Sequence, residues 1–393
     1  MRKTLRFQTM HLDTRIAIIG AGLGGLVAGA LLQQRGHKVT IFEQAPEFSR
    51  LGAGINLSPN VMKVLDAIGV AERLLNIGIR PRSWMSRDLA TGEVLFDYPM
   101  RDQVETKFGA PYITIHRGDF HEVLTGAVTP GTIEFGMRLI AFEQQTDNVH
   151  LDFEAHDGVE VDFVIGADGI NSMVRETLLG PELPKYTGYV AHRSIFPMNR
   201  LDGMDVDDFC KWWSDDVHGD RHIVVYLLDK KAEEIYFVTG VPQPDWDHGL
   251  SFVDTDMNEL CGHFAGFHDN VIRLFEACPT ATTWPIFERD PLPLWSRGQV
   301  VLLGDACHPM KPHMAQGAAI AIEDAAILIR CLEHCGDDLQ SALRLYEDSR
   351  KERASHVQKH SHANKWLRAP MDPSWVFGYD ALTQELGVAA GTP

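Results

Sequence analysis

The chain of 393 residues lacks any apolar run long enough to span a bilayer, so nothing in it asks for a membrane. It is short of positive charge: Lys plus Arg number 36 against 54 Asp plus Glu, a formal net charge of −18. A binder of nucleic acid or of anionic lipid needs the opposite field, so both classes are excluded. A small anionic substrate needs only a few local donors and stays open. Cysteine is sparse too. The six (Cys210, Cys261, Cys278, Cys307, Cys331, Cys335) show no CxxC spacing, which speaks against a zinc site or a disulfide scaffold and fits a reducing cytoplasm. The first fourteen residues carry some basic charge but no apolar core or cleavage-like site, and read as a ragged start. There is no internal repeat and no low-complexity linker. With 45% hydrophobic residues, this length suits two intimately packed domains or one large α/β unit.

What is present begins at 15–20 (RIAIIG), a short apolar run of strand type ending in glycine. Gly20, Gly22, Gly24 and Gly25 follow, then a helical stretch over 26–34 stopped by Gly36, and a second strand over 38–42 ending in Glu43. A GxGxxG between strand and helix, with an acid about twenty residues on, is a dinucleotide-binding βαβ fingerprint. Gly20 permits the tight turn, Gly22 lets backbone approach a pyrophosphate, and Gly25 allows close helix–strand packing. The helix start supplies amides and positive dipole to the phosphates, and Glu43 can accept from ribose hydroxyls.

Two further apolar strands end in Gly-Asp patterns: 164–169 (VIGADG), with Ser172 and Arg175 behind it, and 300–309 (VVLLGDACHP). Each can aim a carboxylate, Asp168 or Asp305, out of a sheet edge. Between them, alternation over 221–228 and 234–240 predicts antiparallel strands. From Gly317 a long helical region opens. A strand over 221–228 sets His222, Val224 and Tyr226 on one face by the period of two. A core histidine with a satisfied tyrosine is the bland account of that pair.

The ordered motifs GAGLGG…FEQ, LGAGI (51–55) with Pro59 and Asn60, His116-Arg117-Gly118-Asp119, GADG and GDACHPMKPHMAQGA resemble those of the single-component FAD-dependent aromatic hydroxylases, from about Arg15 to about Arg353. The resemblance implies an α/β fold in which a Rossmann-like FAD-binding domain is interleaved with an antiparallel-sheet substrate domain and followed by C-terminal helices. The division expected is 1–180 for the FAD-binding domain, with part of the substrate region at about 80–110. The substrate domain takes 181–290, and 291–393 completes the FAD-binding domain and adds the helices. Gly20, Gly22 and Gly24 would then hold the FAD pyrophosphate, and Glu43 with Gln44 would meet the adenosine ribose. Arg50 and Arg117 would run along the cofactor. Leu139 would touch adenine through backbone, and Asp168 belongs to a stretch associated with both FAD and NAD(P)H. Asp305 would meet the ribityl or pyrophosphate region, and Gly317 with Ala318 would present amides to the flavin ring. With one nucleotide-binding βαβ, NADH or NADPH would visit transiently. The family also implies a homodimer.

A narrower likeness points to the branch that replaces a ring carboxylate of a hydroxynicotinate with a hydroxyl, using FAD, NADH and O2. It rests on Lys211-Trp212-Trp213-Ser214, on Arg221-His222 with Val225-Tyr226, on 236–242, on 290–297 and on Lys311-Pro312-His313-Met314. That branch carries histidine where this chain has Asn56, a residue able to hydrogen-bond flavin or substrate but not to titrate. Its cysteine falls at the position of Phe209, one before Cys210. The expected substrate is a small hydroxylated aromatic or N-heteroaromatic acid, with 6-hydroxynicotinate converted to 2,5-dihydroxypyridine as the leading case. Salicylate- or 4-hydroxybenzoate-type hydroxylation, and a non-oxygenating flavin reductase of the same fold, are the alternatives. Side chains cannot activate oxygen, so that task belongs to reduced flavin. The protein must deprotonate the ring hydroxyl, position the ring and shield the site from water. On this reading His222 is the base, Tyr226 orients the substrate or binds its carboxylate, and His313 donates to a substrate oxygen. Cys210, beside the tryptophan pair, either lines the pocket or is a buried inert thiol, since nothing nearby lowers its pKa, and His308, before a proline, shapes the turn.

Overall fold

The computed structural model describes residues 11–50, 53–214, 220–231, 233–246 and 250–387. Leu51 and Gly52 of the LGAGI motif, and the first ten residues of the expected ragged start, lie outside them.

The apolar run after Arg15 is the strand Ile16–Ile19, wholly buried, as a central parallel strand covered on both faces must be. It lies between Val39–Glu43 and Phe163–Gly166 in a sheet ordered Ser296–Arg297, Val300–Leu302, Phe163–Gly166, Ile16–Ile19, Val39–Glu43, Ile133–Phe135. Every pairing is parallel except the Ser296–Arg297 hairpin. Strand order therefore reverses around Ile16–Ile19, and a ligand crevice opens beyond the carboxyl ends of such strands. Those ends carry Gly20, Glu43, Asp168 and Asp305, so one edge gathers all three glycine-acid motifs. The helix Leu23–Gln34 packs close there: a Cβ on Gly25 would sit 2.2 Å from the Gly20 carbonyl oxygen.

The second layer is an eight-stranded sheet: Val253–Asp254, Thr282–Glu288, Lys185–Pro197, Glu234–Pro242, His222–Leu227, Phe209–Trp213, Ser83–Asp88, Val94–Pro99. The two alternating segments appear here as antiparallel neighbours, His222 opposite Gly240 and Tyr226 opposite Tyr236. The segment at 83–99 reaches this sheet by pairing parallel to Phe209–Trp213. A two-stranded ribbon, Gly54–Leu57 with Ile113–His116, runs between the two layers, and Thr114 Oγ1 donates to the Leu227 carbonyl at 2.7 Å. Two long helices, Gly317–Cys335 and Leu339–Ala363, close the molecule. No helix among the described residues is long and apolar enough to cross a membrane.

Buried charge locks these parts together. Asp324, fully buried, accepts from His308 and from the Gly304 amide and pairs with Arg350 at 2.7 Å. Arg353 grips Glu323 through two 2.8 Å bonds. Asn60 Nδ2 donates to Glu323 at 2.7 Å and to Gln316 at 3.1 Å, and Gln316 donates to Ser58 at 3.0 Å. His308 thus does more than shape a turn: it ties the Gly-Asp loop to the helix behind it. The Ser58–Asn60 segment holds the start of that helix, where Gly317 and Ala318 lie.

Candidate active site

At the sheet edge, a cavity of about 410 Å3 is lined by Gly20, Gly22, Glu43, Gln44, Leu139 and Asp168. A second, of about 300 Å3, is lined by Gly22, Gly24, Ile55, Arg117, Asp305, Gly317 and Ala318. They share Gly22, Ala167 and Gly169, which makes them one cleft running past the helix start at Gly22. Gly20, at φ +101°, would place a Cβ 2.5 Å from the Ala167 carbonyl oxygen, so that turn admits only glycine. Glu43 is held in place by accepting from the Ala21 and Ala45 amides, each at 2.9 Å. Asp168 accepts from Ser172 Oγ at 2.5 Å and the Val174 amide at 3.1 Å, while burial raises its pKa above the ordinary range.

An FAD fits the donors and the acceptor left over. Among the described residues, neither the Arg117 guanidinium nor the Asp305 carboxylate has a hydrogen bond or ion pair, although both line the cleft. Burial pulls the pKa of Arg117 down and pushes that of Asp305 up, each partly offset by the other's charge. Gly317 and Ala318 open a 19-residue helix whose positive end faces the same space. Arg50 is placed elsewhere: its guanidinium is tied to Asp119 at 2.7 Å and Glu234 at 3.3 Å, and it is absent from the lining of both cavities. Asn56 also departs from the cofactor cleft. Ile55 lines that cleft, so the pleat turns Asn56, like Gly54 and Thr114, toward the eight-stranded sheet. Its Oδ1 is buried without a partner among the described residues.

Facing it, the strand His222–Leu227 shows His222 and Tyr226 on one side, about 13 Å apart along the strand. Each has an aromatic backing from Phe209–Trp213. Phe209 stacks on Tyr226 with centroids 5.2 Å apart and planes at 11°, and Trp213 lies 6.3 Å from His222. Burial pushes the Tyr226 pKa well up, so the phenol stays protonated. A Cβ on Gly54 would sit 2.6 Å from the Tyr226 hydroxyl; that glycine makes room for it. Arg193 is close enough to Tyr226, Tyr236 and Arg117 to bias their ionisation. Its guanidinium forms no ion pair or hydrogen bond among the described residues. It lies 5.4 Å from the centre of the Trp284 ring.

At the other end, the rings of His222 and His313 meet edge to face with centroids 5.1 Å apart. The last turn of Leu339–Ala363 holds both. His313 Nδ1 is 3.0 Å from the Ser361 carbonyl, an acceptor only, so Nδ1 carries the proton and Nε2 keeps its lone pair. Asn364 Nδ2 donates to His222 Nδ1 at 3.3 Å. Burial holds His313 down to about 3 and His222 well below its ordinary value, so both are neutral at physiological pH.

Cys210 does not join them. Alternation turns it to the opposite face of the sheet, where it lines a separate cavity of about 230 Å3 with Arg87, Asp207, Trp212 and His268. Burial pushes its thiol pKa well up, the opposite of what a reactive cysteine needs. The residues that sequence reasoning missed are Asn364, Ser361 and Arg193, while Gly54 and Gly240 were quoted only within motifs. Lys211 was likewise quoted only within a motif; the signal that could have found it is a lone cation in the apolar run FCKWW.

Residues 13–361 match the family model described as FAD binding domain. Over 374 residues the chain is 53% identical to 6-hydroxynicotinate 3-monooxygenase of Bordetella bronchiseptica, covering 95% of this chain and 97% of that one. Over 380 residues it is 50% identical to the enzyme of the same name from Pseudomonas fluorescens, at 96% and 98% coverage. Among solved structures, Klebsiella pneumoniae HpxO in complex with FAD and uric acid superimposes with a TM-score of 0.79 at 26% identity, covering 90% of this chain and 88% of that one. The chain belongs to the FAD binding domain family and is an FAD-dependent monooxygenase.

Proposed function

We propose that the protein converts 6-hydroxynicotinate to 2,5-dihydroxypyridine, with one NAD(P)H and one O2 consumed and CO2 released. The carbon–carboxylate bond breaks and a carbon–oxygen bond forms at the same ring carbon. The observation that carries this reading is the pair of half-identical relatives, whose match spans both the cleft and the sheet facing it. The shape of the strand face supports it. In 6-hydroxynicotinate the hydroxyl and carboxylate stand at opposite ends of the ring. His222 and His313 occupy one end of the His222–Leu227 face and Tyr226 the other, with Arg193 near enough to Tyr226 to bias its ionisation. An ortho acid such as salicylate would need both functions at one end.

FAD, when bound and reduced, supplies the oxygen activation. Gly20, Gly22, Gly24, Glu43, Gln44 and Leu139 would hold its nucleotide half, and Arg117, Asp305, Gly317 and Ala318 the remainder. His313 Nε2, the accepting nitrogen, accepts a hydrogen bond from the ring hydroxyl and polarises its O–H bond toward the anion. His222 Nε2–H donates to that oxygen, which inverts the role expected for it from sequence. Tyr226 donates to the carboxylate and Arg193 offsets its charge. Sheet and ribbon exclude water from the ring. The domain division 1–180, 181–290 and 291–393, a homodimer and a cytoplasmic location belong to the same reading.

The test is NADH oxidation by FAD-loaded protein across hydroxynicotinates and hydroxybenzoates. Strongest stimulation by 6-hydroxynicotinate is expected. Preference for salicylate overturns the para argument, and no stimulation by any acid returns the reductase alternative.

A further inference from the structure

Lys211 is a lysine at 1% exposure, set among aromatic rings on the substrate-facing side of its strand. Its ammonium lies 3.9 Å from the centre of the Trp213 ring. Its Nζ donates to Asn364 Oδ1 at 2.8 Å and, more weakly, to the His313 carbonyl at 3.5 Å. No carboxylate pairs with it among the described residues. Burying a lysine this way is costly, and nothing in FAD binding or in the acid–base assignment above uses it.

Asn364 is as unusual. It ends the helix Leu339–Ala363 at φ +47°, a left-handed conformation that asparagine tolerates better than other side chains. Its amide is buried between Lys211 and His222. An amide can be turned either way, but a protonated lysine offers donors only; burial pulls the Lys211 pKa down to about 7, so at or below neutral pH it claims Oδ1 and turns Nδ2 toward the imidazole. Nδ2 is in turn a donor only. His222 Nδ1 must therefore accept, and its single proton resides on Nε2, the nitrogen pointed away from the tether.

We propose that Lys211 and Asn364 are positioning residues that fix the tautomer of His222. The chain Lys211 Nζ–H to Asn364 Oδ1, and Asn364 Nδ2–H to His222 Nδ1, makes His222 a hydrogen-bond donor toward the substrate. The bond from His313 to Ser361 leaves the neighbouring ring as acceptor. One helix terminus thereby sets two adjacent imidazoles to opposite polarity, which a ring hydroxyl passing from neutral to anionic requires. The functional consequence rests on the reading given above; the tautomer itself does not.

Three variants separate the possibilities. Asn364→Gly keeps the left-handed backbone without strain and deletes only the amide. Asn364→Asp keeps the shape but offers acceptors alone, so His222 must protonate Nδ1. Lys211→Met leaves the amide without its orienting partner. Side-chain 15N spectra of histidine-labelled holoenzyme should show neutral Nε2–H for His222 in the parent and protonated Nδ1 in Asn364→Asp. For 6-hydroxynicotinate, Asn364→Asp should raise KM about tenfold or more, the loss of a hydrogen bond to a charged group. Its kcat should change less, by about threefold, and Lys211→Met should raise KM by a similar smaller factor. Retained FAD absorbance and melting temperature establish that each variant is folded. An Nδ1–H tautomer in the parent, or Asn364→Asp and Lys211→Met with parental KM and tautomer, overturns the proposal. If the parent turns over no hydroxynicotinate, the functional reading fails, and the 15N spectra still decide the tautomer.

Discussion

Gly240 lies directly opposite His222 on the next strand, and a methyl group there would fall 2.1 Å from His222 Cε1 and 2.6 Å from Nδ1. The backbone at 240 is not left-handed, so alanine strains nothing locally; the imidazole alone must give way. Restoring an ordinary separation of about 3.4 Å moves the ring by roughly 1.3 Å. The 3.3 Å bond from Asn364 does not survive that, nor does the edge-to-face meeting with His313. Misplacement of a catalytic group on this scale costs about 10²-fold, and overpacking about 1–3 kcal/mol of stability. Gly240→Ala should therefore lower kcat/KM about 10²-fold, with FAD content unchanged. Gly262→Ala is the control. It lies in the helix Met257–His263 with nothing within 4 Å of the added carbon, and should leave activity alone while adding about 0.5–1 kcal/mol. Steady-state kinetics with product quantitation, beside urea unfolding, reads both. A folded, FAD-replete Gly240→Ala enzyme with parental kcat/KM would refute the placement of His222 in the reaction.

Three further outcomes follow from the geometry. Gly54→Ala would push against the Tyr226 hydroxyl and the Tyr236 ring, at 2.6 and 2.7 Å, and should raise KM and the fraction of NADH oxidised without product; oxygen-to-product stoichiometry measures it. Arg117→Met should weaken FAD binding about 10- to 100-fold, the worth of one charge-assisted contact, as followed by flavin fluorescence. Stability should fall as pH drops. His313 and His192 are held to about 3 and about 4 in the fold against 6.5 when unfolded, so the unfolded chain binds more protons below 6.5. Urea midpoints should decline between about pH 7 and 5, and His313→Asn should flatten that decline.

The cofactor half was legible because its chemistry is local. Gly20, Gly22 and Glu43 sit within one strand–helix–strand unit, and each Gly-Asp motif ends its own strand, so spacing alone put them at one sheet edge. The period of two likewise gave the shared face of His222 and Tyr226. That rule also decides Cys210: adjacent to Lys211, it must face the other way, and proximity in sequence to the tryptophans misled. The pairing of Arg50 with Glu234 was illegible because that partner comes from the other layer, a long-range contact no spacing reveals. Asn364 was illegible for the same reason. Nothing in a helix C-terminus at 364 announces a hydrogen bond to a strand residue at 222. The roles proposed for the two histidines differ from those expected for the same reason, since which ring nitrogen carries a proton depends on partners far off in the chain.

The most direct test supplies FAD-loaded protein with 6-hydroxynicotinate, NADH and 18O2, and records product mass and CO2. The account predicts a product lighter than the substrate by the mass of CO before isotopic correction, bearing one 18O atom, with CO2 and oxidised NADH formed in equal amounts. NADH oxidised with only hydrogen peroxide formed, or a hydroxylated product that keeps its carboxylate, would contradict it.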